Sequence, residues 1–102
     1  MAQWHRKLYI GEKASLFEKE IKTVVDKSLA FPEAYLITLA ANPAEQLDII
    51  STAQLVSWKV YRTLPVIVGI AVTKKEALGL VRQMAEDVYR ETGQCNLREF
   101  FS

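Results

Sequence analysis

Gln46-Leu47-Asp48-Ile49-Ile50-Ser51-Thr52-Ala53-Gln54-Leu55-Val56-Ser57-Trp58-Lys59-Val60-Tyr61-Arg62-Thr63 can be read in two ways, and each gives a different sheet. Ser51 and Gln54 stand at capping-box spacing, and Ala53, Val56, Val60 and Leu64 follow at helical intervals. On that pattern the expectation is a helix over 52–63. The same segment is rich in strand formers, Trp58, Val60 and Tyr61 among them. The alternative is a strand that forms a hairpin through Thr63-Leu64-Pro65.

Downstream the pattern is clearer. Pro65 suits the first position of a strand, because it has no N–H to give a ladder. Val66 to Val72 is then apolar without interruption, the pattern of a strand covered on both faces. Thr73 and Glu76 form a capping box, with Glu76 expected to reach back to the Thr73 N–H. Ala77, Val81, Met84 and Val88 continue at helical spacing to Gly93, a left-handed stop. Gly79 inside that helix costs about 1 kcal/mol against alanine, and close packing on the sheet is the expected reason.

Upstream, Leu8-Tyr9-Ile10 reads as a short strand ended by Gly11. Ser15 and Glu18 repeat the capping-box spacing ahead of the stripe Phe17, Ile21, Val24, Val25 and Leu29, and Pro32 stops the helix. Glu18 and Lys22 are spaced to pair on its outer side. Tyr35 to Ala40 is a second buried strand. Asn42, Pro43 and Glu45 then predict a helical turn, and Asn96 with Glu99 predict another at the carboxyl end.

With 46–63 helical, strands and helices alternate. The expected fold is a single α/β domain over 1–102, a small, mainly parallel three-stranded sheet with helices packed on it. With 46–63 extended, it becomes an α+β sandwich with a mixed sheet. The parallel version puts the carboxyl ends of the strands on one edge, where open α/β sheets bind ligands. Lys13, Asn42, Thr73, Lys74 and Lys75 would then meet there. Free helix N–H groups and lysine charge suit a small anion such as a phosphate or carboxylate metabolite.

The chain has 102 residues, half of them apolar, with 13 Lys and Arg against 12 Asp and Glu. A net charge of +1 argues against a dedicated nucleic-acid binder, which relies on phosphate neutralisation. The aromatic and basic run Trp4, His5, Arg6, Lys7 and Tyr9 keeps an accessory nucleic-acid role open. One cysteine and one histidine cannot build a His/Cys metal cluster. Cys95, with Arg98 three residues on, is expected to be a docked, inert thiol, and His5 a frayed terminal residue. No dinucleotide, Walker or nucleophile-elbow motif occurs, so no cofactor and no catalytic constellation is expected. No signal segment or membrane span is visible, and a cytoplasmic protein is expected.

Surplus aromatic side chains suggest instead an interaction or regulatory domain that forms a homodimer. Trp58, Tyr61, Phe100 and Phe101 are the candidate interface residues; Phe100 and Phe101 are expected to dock on the core, and would anchor a partner if exposed. Two stretches carry a resemblance: Tyr35-Leu36-Ile37-Thr38-Leu39 with Asn42-Pro43 and Leu47-Asp48-Ile49-Ile50, and Val68-Gly69-Ile70-Ala71 with Glu76-Ala77-Leu78 and Tyr89-Arg90-Glu91-Thr92-Gly93. Over residues 8 to 101 the chain resembles a group of small bacterial proteins with no assigned activity. The resemblance implies a bacterial source and no function.

Overall fold

The computed structural model describes residues 2–27, 33–42 and 44–101, and only the backbone of Val56, Trp58 and Lys59. Its four strands are β1 (Trp4–Ile10), β2 (Tyr35–Leu39), β3 (Leu47–Ser51) and β4 (Ile67–Ala71). Its α-helices are α1 (Glu18–Asp26), α2 (Trp58–Arg62), α3 (Lys74–Thr92) and α4 (Leu97–Phe100). The strands form one sheet in the order β1-β4-β2-β3. β1 runs parallel to β4, while β2 runs antiparallel to both β4 and β3. The sheet is therefore mixed and four-stranded. This corrects the three-stranded, mainly parallel expectation and agrees with the mixed-sheet alternative.

The correction comes from 46–63. Leu47 to Ser51 pairs with β2 along its whole length, from Tyr35 opposite Ser51 to Leu39 opposite Leu47. The hairpin lies between β2 and β3, not at Thr63-Leu64-Pro65. Asn42 still makes a turn: its Oδ1 accepts from the Ala44 N–H at 3.0 Å and its carbonyl from the Glu45 N–H at 3.0 Å. That turn reverses the chain into β3 and starts no helix; Pro43 lies outside the described residues. The Ser51–Gln54 capping box is present, with the Ser51 hydroxyl accepting from the Ala53 N–H. It opens a 3-10 turn over Thr52–Val56. Ser57 is extended (φ −74°, ψ 114°), which separates this turn from α2 and breaks the expected helix over 52–63.

The strand 67–71 is buried at every residue and lies between β1 and β2, so its unbroken apolar run has a partner layer on each face. One layer is α3 with α4: Ala77, Leu80, Met84, Val88, Leu97 and Phe101 pack on Ile37, Val68 and Ala71. The other is built from α1 and the segment after β3, where Ile21, Val25 and Leu55 pack on Leu36, Ile67 and Ile70. Gly69 has a packing reason, since a Cβ there would come within 2.8 Å of the Met84 methyl and 3.0 Å of Ile37 Cδ1. Gly79 does not. It is exposed with open space around its Cα, which corrects the expectation of a close approach.

Thr73 caps α3 by accepting from the Glu76 N–H at 3.1 Å, and Gly93 closes it at φ 73°. The Glu18–Lys22 pair forms at 2.8 Å. Ser15 does not cap α1: a 3-10 turn over Ala14–Phe17 precedes it, and the Ser15 hydroxyl donates to the Glu12 carbonyl. Leu29 and Pro32 lie outside the described residues. Among the described residues no helix is long and apolar enough to cross a membrane.

Candidate functional site

The end of the sheet where β1 and β4 finish holds Gly11, Lys13 and Thr73 together. There the Glu76 carboxylate accepts from the Val72 N–H at 2.9 Å and from the Lys13 N–H at 2.7 Å. It reaches back past its own cap residue and ties the β4–α3 corner to the turn after β1. Gly11 belongs to this arrangement, because a Cβ at that position would overlap the Glu76 carboxylate. The carboxylate thus serves the amides of the β4–α3 corner and of the turn after β1, while the Glu76 N–H of the first helical turn is taken by the Thr73 hydroxyl.

Asn42 is at the other end. Because β2 is antiparallel to β4, Tyr35 stands opposite Ala71, and residues beyond Leu39 emerge roughly 17 Å away, the length of a five-residue strand. A small anion that touches Thr73 cannot touch Asn42. Lys74 and Lys75 are exposed on the first turn of α3. The five residues therefore divide between two ends of the sheet, and the chain does not assemble the anion site that a parallel topology would have made.

The basic and aromatic run forms most of β1, which places His5 in a strand, not in a frayed end. Its aromatic groups are used internally. Trp4 packs with the α1 layer and its Nε1–H donates to Asp26 at 3.4 Å. The rings of His5 and Tyr9 meet Phe101 edge-on at 5.2 and 5.9 Å. Lys7 Nζ stands 5.1 Å from the centre of the Phe100 ring. These contacts also locate two expected interface residues: Phe101 is only 2 % exposed and belongs to the core, and Phe100 is half-buried. Tyr61 is half-buried too, its hydroxyl donating to the Asp26 carbonyl at 2.9 Å. The Trp58 side chain lies outside the described residues.

An open cleft of about 510 Å³ runs between β1 and α3, lined by Lys7, Tyr9, Gln83, Asp87, Arg90 and Phe100 among others. The Tyr9 hydroxyl donates to Asp87 at 2.7 Å, and Arg90 pairs with the same carboxylate at 3.3 Å. Burial, then the bond to Asp87 and the negative charges of Asp87 and Glu91, push the Tyr9 phenol up to about 12, with Arg90 opposing them. Tyr9 is thus a proton-holding structural group at neutral pH. Cys95 is exposed, not docked as expected. Arg98, instead of serving the thiol, donates to the carbonyls of Ala40, Asn42 and Glu45 at 2.7–3.0 Å and fastens α4 to the β2–β3 hairpin. Among the described residues no cluster of His, Cys, Asp or Glu is suited to hold a metal ion.

The remaining surface with a definite chemistry is the outer edge of the sheet at β3. All five of its residues are half-buried, and Asp48 is its only charge. On the α3 side, Leu47 and Ile49 lie at the margin of the core beside Tyr35 and Leu39. One flank of α3 is turned toward this side of the sheet. Glu76 and Asp87 bond to the β1 side, so Leu78, Val81, Ala85 and Tyr89, on the opposite stripe of the helix, face the β2–β3 side. Leu78 is 53 % and Tyr89 60 % exposed. The stripe read from the sequence, Ala77, Val81, Met84 and Val88, leaves out Leu78 and Tyr89; which flank of α3 is left uncovered depends on where the sheet ends.

Comparison of the chain with protein-family models, with curated proteins and with solved structures finds no match.

Proposed function

We propose that this chain is a non-enzymatic interaction domain that associates with itself, and that β3 is the surface it uses. The observation that supports this is the difference between the two sheet edges. β1 carries exposed Arg6 and Lys7, and its ladder with β4 slips between Trp4 and Tyr9. Charges and irregular register are the means by which an edge is kept from pairing. β3 is regular through five consecutive pairs, has one charge and adjoins the uncovered flank of α3. Edges of that kind template the addition of another strand.

A five-residue edge is about 17 Å long, so the contact buries less than the ~1,200–2,000 Å² of a stable dimer. The association is weak and depends on concentration. Light scattering across a dilution series, from about millimolar down to about micromolar protein, should show the mass falling from two chains to one. A monomer mass at every concentration would overturn the proposal.

A further inference from the structure

We draw no further inference here: the strongest candidate, the open cleft between the β1 edge and α3, sets Lys7 and Arg90 beside Asp87 and Glu91 and so selects neither sign of charge, and nothing in the structure shows what covers it.

Discussion

The Tyr9 hydroxyl and the Glu76 carboxylate each join parts of the chain far apart in sequence. Tyr9 bonds to Asp87, 78 residues away, and Glu76 bonds to the Lys13 amide, 63 residues away. Tyr9 has a consequence for pH. Its phenol is raised from 10.0 to about 12 in the folded chain. Above pH 10 the unfolded chain releases this proton while the folded chain keeps it, so the stabilisation is whole below pH 10 and is lost as pH rises toward 12. Urea unfolding between pH 8 and pH 11 should fall more steeply for the parent chain than for Tyr9→Phe, and parallel curves would remove the tyrosine from the account. Glu76 acts as the internal counter-anion for its corner. Charge-assisted bonds to backbone amides are among the stronger ones, so Glu76→Ala should lower unfolding free energy by about 2 kcal/mol. Glu76→Gln, which keeps one acceptor oxygen, should lose about half as much; a loss equal to that of Glu76→Ala would show that the negative charge, not the number of acceptors, carries the effect. The capping-box spacing of Thr73 and Glu76 was visible in the sequence, but the destination of the carboxylate was not. Spacing reports the local turn, whereas the amide of Lys13 arrives through sheet pairing.

At the scale of elements, α3 was legible almost to its ends. A threonine cap, a stripe at 3.6-residue intervals and a terminal glycine are local signals, and the helix is long enough to average out its exceptions. Gly79 is such an exception. It stands exposed in a helical interior with nothing near its Cα. Gly79→Ala should raise stability by about 0.5–1 kcal/mol, through lower backbone entropy in the unfolded chain and higher helix propensity; a loss in a urea titration would mean that the glycine has a contact partner after all. β3 was not legible. Leu47-Asp48-Ile49-Ile50 is four residues, too short for period to separate strand from helix, and it runs straight into a genuine capping box at Ser51. The helical pattern of Ala53, Val56 and Val60 was real over each of two pieces, but the extended backbone at Ser57 divides them.

At the scale of the whole molecule, one strand direction separates the expected architecture from the observed one. Turning β2 antiparallel sends Asn42 to the end of the sheet opposite Thr73 and adds β3 as a fourth strand. It also leaves α3 short of covering the last strand, which exposes Leu78 and Tyr89 beside an unpaired edge. The proposed dimer follows from this shortfall: a sheet one strand wider than its helical layer covers its margin by meeting its own copy. The sequence by itself determined the buried strand at 67–71, the helix at 74–92, the buried stripe Ile21, Val24 and Val25 of α1, the turn at Asn96 and the docking of Phe101, because each is encoded by periodicity, caps or hydrophobicity within a few residues. Only the tertiary structure decided the strand order, the direction of β2, the partner of Glu76 and the identity of the uncovered edge. Strand pairing is a choice among distant segments with similar apolar character, settled by which arrangement buries both faces of β4 while satisfying its backbone, and no local stretch carries that comparison.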